Sequence, residues 1–96
     1  MNELDILIID DDEDVREYTT QIISEWKGFG GKYTFVFHEA VDGLEGLQKL
    51  HERKYDLAVV DMKMPKLSGT QLIETLRTNK GENQDIPIIE IGRAHV

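Results

Sequence analysis

A chain of 96 residues, 40% of them hydrophobic, has room for one domain with a modest core. Its formal net charge of -8 argues against direct nucleic-acid binding, which wants a basic face, and against docking on anionic membrane surfaces. There is no cysteine, which excludes disulfides and thiolate metal sites and fits a reducing compartment.

No basic segment followed by an apolar run marks a signal peptide, and no stretch approaches membrane-spanning length. A cytoplasmic protein is expected. In chain order, Leu4 to Ile9 is a short apolar run interrupted once by Asp5, which suits a buried parallel strand. From Glu13 a helical pattern begins, with Val15, Tyr18, Ile22, Ile23 and Trp26 on one side and acidic residues at its start. Gly28, Gly30 and Gly31 end it in a loop.

Tyr33 to Phe37 is aromatic and β-branched and predicts a second strand, followed by a turn over Glu39 to Asp42. Leu44, Leu47 and Leu50 recur at helical spacing. Gly46 within that helix costs about 1 kcal/mol against alanine, which a close helix–sheet contact would explain. Tyr55 to Val60 is a third strand, Gln71 to Arg77 a third helix, Lys80 to Asp85 a polar loop, and Ile86 to Ile91 a fourth strand. Strict alternation in the order β-α-β-α-β-α-β implies an α/β fold, a parallel sheet with helices on both faces.

Two of these runs stop on carboxylates: Leu7-Ile8-Ile9 on Asp10-Asp11-Asp12, and Leu57-Ala58-Val59-Val60 on Asp61. The ends of adjacent parallel strands converge at one sheet edge, where open α/β proteins place their sites. Two carboxylates about 4 Å apart repel by about 4 kcal/mol at an effective dielectric near 20, and a hard divalent cation relieves this. The same cation can neutralise a transferring phosphoryl group, and an aspartate can be its nucleophile. Mg²⁺-assisted phosphoryl chemistry on Asp is the reading that joins Asp10, Asp11 and Asp61.

Rival readings fit less well. Each acidic end taken alone is accounted for by a helix cap. Asp10, Asp12 and Asp14 have the spacing of an EF-hand loop, but Val15 stands where its glycine belongs and Gln21 where its final glutamate belongs. Asp10 and Asp12 also match the Asp-x-Asp of a haloacid-dehalogenase-like phosphatase, but Asp14 stands where those enzymes carry Thr or Val. That enzyme, and an interaction domain that works without phosphorylation, are the alternatives.

The chain resembles a response-regulator receiver domain of two-component signalling from Leu4 to Ile89. The resemblance rests on Ile8-Ile9-Asp10-Asp11, on Glu39-Ala40-Val41-Asp42-Gly43, on Asp61-Met-Lys-Met-Pro-Lys-Leu-Ser-Gly69, and on Gln84-Asp85-Ile86-Pro87-Ile88-Ile89. It implies a flavodoxin-like, doubly wound sheet of strand order 2-1-3-4. It implies Asp61 as phosphoacceptor, and a Mg²⁺ site made of Asp11, Asp10, Asp61 and the backbone carbonyl of Lys63. It further implies a sensor histidine kinase or phosphotransfer protein as donor, and a switching signal module rather than a metabolic enzyme. Pro65 and Gly69 would shape the loop, Gly69 by allowing φ > 0. Asp12 and Asp14 would be helix-start charges, and His38 and His51 surface residues.

The sequence departs from the family in two places. The loop from Trp26 to Lys32 is longer than usual. Gly92 stands where the family has Ser or Thr, and the family's fifth strand with its Lys and its last helix have no counterpart before Val96. Ile91-Gly-Arg-Ala-His-Val96 matches one reading frame of a common short-read sequencing adapter. Residues 1–90 are therefore read as a partial receiver domain at the N-terminus of its parent, and 91–96 as a non-native tail. Such a chain is expected to be poorly stable and weakly phosphorylated.

Overall fold

The alternation of apolar strand runs and amphipathic helices is realised in a computed structural model, which describes residues 2–26 and 31–92. The elements are β1 (Asn2–Ile9), α1 (Glu13–Glu25), β2 (Tyr33–Ala40), α2 (Gly43–Glu52), β3 (Leu57–Asp61), α3 (Gly69–Thr78) and β4 (Ile88–Ile91). All neighbouring strands are parallel, in the order β2-β1-β3-β4. This is the expected flavodoxin-like order.

Helices on both faces explain why β1 reads as an unbroken apolar run. Leu7 and Ile9 point to the face covered by α2 and α3, where they pack with Leu50, Val60, Leu72 and Leu76. Ile6 and Ile8 point to the α1 face, with Val59, Ile23 and Phe37. Gly46 of α2 sits against β1: a Cβ built there would meet Ile9 side-chain carbons at 2.7 Å, so the close helix–sheet contact is real.

Several boundaries differ from the sequence reading, each for a backbone reason. β1 starts at Asn2 and β2 runs on through Ala40, because their parallel ladder extends from Asn2–Tyr33 to Ile9–Ala40. The bend expected over Glu39 to Asp42 falls at Val41 and Asp42. β3 begins at Leu57 rather than Tyr55, because the Tyr55 N–H donates to Asn83 Oδ1 at 2.9 Å. β4 begins at Ile88: Pro87 has no N–H, and that of Ile86 is spent on the Asn83 carbonyl at 3.2 Å.

The apolar stripe expected along α1 is only partly used. Ile23 packs on the sheet, whereas Tyr18 and Ile22 are 65% and 51% exposed. The helix ends at Glu25, and Trp26 caps it through its N–H to the Ile23 carbonyl. Ile22 and Trp26 border an apolar groove of about 580 Å³ lined also by Leu4, Ile6, Phe35 and Ile89. Of the glycines expected to end α1, Gly28 and Gly30 lie outside the described residues, and Gly31 takes a φ of 70°. Arg93 to Val96 of the expected non-native tail also lie outside them. Ile91 closes the β4 ladder opposite Asp61, and its side chain packs against the cluster of Ile6, Ile8 and Val59.

Midway along β1, Asp5 accepts from His38 Nε2 at 3.0 Å and pairs with Arg53 Nη2 at 3.1 Å. The His38 hydrogen bond and the Arg53 charge hold the Asp5 carboxyl below its ordinary value of 3.8. A depressed carboxyl stabilises the fold above its unfolded value, and that stabilisation is lost as pH falls through the folded value. The protein is therefore expected to melt at a higher temperature than Asp5→Asn at neutral pH. The gap should close as pH falls below 3.8, which melting curves at a series of pH values check.

Candidate functional site

β1 sits between β2 and β3, so the chain reverses direction across the sheet between the C-terminal ends of β1 and β3. Ligands of open α/β sheets bind at such a crevice. Asp10 and Asp11 follow β1 and Asp61 ends β3, which brings the three carboxylates to that point. One oxygen from each lies within 4.8 Å of the other two. Asp10 and Asp61 are buried, at 2% and 1% exposure, and Asp11 is exposed.

The two buried carboxylates are fixed by backbone donors. Asp10 Oδ1 accepts the Asp12 N–H at 2.9 Å, and the Asp10 N–H continues the ladder to the Ala40 carbonyl at 3.1 Å. Asp61 Oδ1 accepts the Lys63 N–H at 3.1 Å. The Lys63 peptide is thus tied to the site by its own N–H, while the residue as a whole is exposed. Asp12 is the N-cap of α1, accepting from the Asp14 N–H at 2.9 Å and the Val15 N–H at 3.3 Å. Asp14 stands in the first turn, so both are helix-start charges, as expected.

The loop from Met62 to Ser68 differs from expectation in how its glycine works. The positive φ is at Lys66, 70°, where the Leu67 N–H reaches the Pro65 carbonyl at 2.8 Å in a γ-turn of the rarer kind. Gly69 has no positive φ. It is required for close approach: an added Cβ would lie 2.6 Å from the Asp61 carbonyl oxygen and 2.8 Å from Met62 Cα. Ser68 then starts α3 in a capping box with Gln71. The loop leaves Asp61 and returns against it, which pins the strand end that carries the Asp61 carboxylate.

The donor set suits a hard divalent cation. All three groups are carboxylates, and no His or Cys joins a metal-capable group among the described residues. Mg²⁺ uses one or two carboxylates and keeps several waters, which an edge with one exposed and two buried aspartates can provide. His38 pairs with Asp5 and His51 Nδ1 contacts the Leu47 carbonyl at 2.9 Å, and neither belongs to the metal-capable group. Two polar residues that the sequence did not single out prove important. Arg16 is 8% exposed and reaches the Asp10 carbonyl, and Asn83 is 1% exposed and ties α2 to β3. Neither sits in a motif; an arginine early in an acidic helix start was the one available hint for the first.

The sequence profile of the response regulator receiver domain matches residues 6–95. A probable C4-dicarboxylate response regulator of Priestia megaterium is 35% identical over 74 residues, covering 77% of this chain and 30% of that protein. A CAI-1 autoinducer sensor kinase/phosphatase of Vibrio cholerae serotype O1 is 33% identical over 84 residues, covering 88% of this chain and 11% of that protein. Hybrid signal transduction histidine kinase D of Dictyostelium discoideum is 32% identical, with 88% of this chain and 5% of that protein covered. The chain thus spans less than a third of the length of these relatives.

Among solved structures, the Thermotoga maritima response regulator TrrA in complex with Mg²⁺-BeF superposes with a TM-score of 0.74 at 28% identity, covering 96% of this chain and 70% of that one. A CheY-like receiver domain of Methanospirillum hungatei superposes with a TM-score of 0.76 at 27% identity, covering 99% and 68%. The α/β sheet of order 2-1-3-4, with its acidic switch point, is the flavodoxin-like fold that these receiver structures share. The chain belongs to the response regulator receiver domain family of two-component systems, related both to response regulators and to hybrid kinases.

Proposed function

We propose that this chain is a phosphoacceptor module that takes a phosphoryl group onto Asp61 from a sensor histidine kinase or phosphotransfer protein. The observation that carries the reading is the convergence of Asp10, Asp11 and Asp61 within 4.8 Å at the switch point. Asp10, Asp11, Asp61 and the Lys63 backbone carbonyl would hold Mg²⁺, an assignment supported by the all-oxygen donor set and by the Mg²⁺-BeF complex of the Thermotoga relative. Bound there, Mg²⁺ supplies charge that offsets the carboxylate repulsion and the build-up of charge on the phosphoryl oxygens.

The residues of the chain do the rest. A carboxylate oxygen of Asp61 attacks phosphorus, forming an acyl-phosphate O–P bond as the N–P bond of the donor phosphohistidine breaks. The donor imidazole keeps the electron pair and takes up a proton. The Lys63 N–H holds Asp61 Oδ1, so the carboxylate meets the phosphoryl group without first having to be ordered. The Asp12 N–H holds Asp10 in the same way. The new charge on Asp61 then biases the surface read by an output domain or partner protein, a cytoplasmic switch rather than a turnover enzyme.

Incubation of the 96-residue chain with a small acyl phosphate and Mg²⁺ tests this. A hydroxylamine-labile acyl phosphate is expected at low stoichiometry, and chelation of Mg²⁺ should abolish it. Steady release of phosphate with no acid-stable, hydroxylamine-labile adduct would favour a phosphatase instead.

A further inference from the structure

We propose that Arg16 is a positioning residue for the cation pocket: its guanidinium locks the Asp10 peptide and so sets where the Asp10 and Asp11 carboxylates stand. The inference rests on the Mg²⁺ reading above and adds a residue outside the carboxylate set. Arg16 lies in the second turn of α1 and is 8% exposed, an uncommon place for a charged side chain. Its Nη1 donates to the Asp10 carbonyl oxygen at 2.7 Å, and its Nε donates to Glu39 Oε1 at 2.9 Å. The Asp10 N–H is already spent on the Ala40 carbonyl and Asp10 Oδ1 on the Asp12 N–H. The guanidinium fixes the Asp10 carbonyl, and with it the peptide that joins Asp10 to Asp11.

The chain leaves β1 at Ile9 and enters α1 at Glu13, so Asp10 and Asp11 stand on a short connection whose path sets their aim. Arg16 ties that connection to Glu39, near the C-terminal end of β2. Only a planar guanidinium reaches both acceptors from one position; an ammonium is a single point of donation. Outer-sphere partners that orient metal ligands are worth about 10- to 100-fold in affinity when removed.

The sign of the effect separates positioning from simple charge. A cation beside a metal pocket repels the metal, so deleting the Arg16 charge alone would tighten Mg²⁺ binding. Deleting a positioning contact weakens it. Mg²⁺ affinity of the unsubstituted chain, Arg16→Met and Arg16→Lys is measured by calorimetric titration, with Mn²⁺ electron spin resonance as a second probe. Thermal melting without metal is recorded alongside. Arg16→Met is expected to bind Mg²⁺ about 10-fold more weakly, and Arg16→Lys to fall between it and the unsubstituted chain.

Glu39→Gln keeps an acceptor for Arg16 Nε and is expected to stay within about 2-fold, since amide and carboxylate oxygens both accept hydrogen bonds. Where Arg16→Met fails to fold, Arg16→Lys decides. Binding as tight as, or tighter than, that of the unsubstituted chain in the variants that fold would overturn the proposal. Absence of Mg²⁺ binding by the unsubstituted chain would instead overturn the Mg²⁺ reading on which it rests.

Discussion

Asp61→Asn is expected to remove all acyl-phosphate labelling while leaving the fold in place. The amide oxygen of asparagine can still accept the Lys63 N–H that Asp61 Oδ1 accepts at 3.1 Å, so the loop has no reason to move. An amide is neither a competent nucleophile toward phosphorus nor an anionic ligand. Labelling should fall below detection, a loss of at least about 10³-fold if the side chain is the sole acceptor. A second measurement guards against a folding artefact. Mg²⁺ that binds only the folded state stabilises it by about 2.7 kcal/mol at 100 times the dissociation constant. Asp61→Asn removes one of the three carboxylates within 4.8 Å, so its Mg²⁺-induced rise in melting temperature should shrink. Retained labelling would move the acceptor elsewhere, and Asp10 and Asp11 would be the next carboxylates to test.

Asn83→Ala is expected to be the most damaging single substitution outside the apolar core. Asn83 lies in the polar stretch between α3 and β4 yet is 1% exposed. Its Oδ1 accepts the Tyr55 N–H at 2.9 Å, and its Nδ2 donates to the Leu50 carbonyl at 2.7 Å and the Arg53 carbonyl at 2.6 Å. It thus satisfies two carbonyls at the end of α2 and the amide that leads into β3. Alanine would strand all three, at about 1–3 kcal/mol for each buried unsatisfied group, before any water enters to replace them. A loss of about 3 kcal/mol or more is a large share of the 5–15 kcal/mol typical of a domain. Urea unfolding should show a lower midpoint with an unchanged slope. Asn83→Asp should fare no better, because it keeps the acceptor for Tyr55 but turns a carboxylate toward two carbonyls. A loss below about 1 kcal/mol would mean that water takes over the three bonds.

The site was legible in the sequence to the extent that it consists of residues at strand ends. Asp10, Asp11 and Asp61 could be placed because an apolar run of strand length followed by a carboxylate puts that carboxylate at a sheet edge, and parallel order puts the edges together. Gly46 could be read as a close contact because a glycine inside a helix is otherwise a cost. Gly69 serves close approach rather than the positive φ its position in the loop suggests. A glycine's tolerance of positive φ and its lack of a Cβ look identical in a sequence, and only the approach of Asp61 and Met62 separates them. The α1 stripe is wider than its buried part for a related reason: periodicity says which residues share a side, not how much of that side the sheet covers, and Tyr18 and Ile22 remain open.

What the sequence determined by itself is the alternation of elements, the two acidic strand ends and the chemistry that carboxylates in that arrangement favour. These follow from local properties: side-chain period, capping preference and the charge of neighbouring residues. Tertiary structure alone decided where β3 and β4 begin, which face of α1 is used, and how Arg16 and Asn83 are spent. Those outcomes depend on buried backbone groups finding partners distant in the chain, Asn83 with Leu50 and Tyr55, Arg16 with Asp10 and Glu39. A buried N–H or carbonyl must be satisfied, but nothing in the local sequence says by whom until the chain has folded.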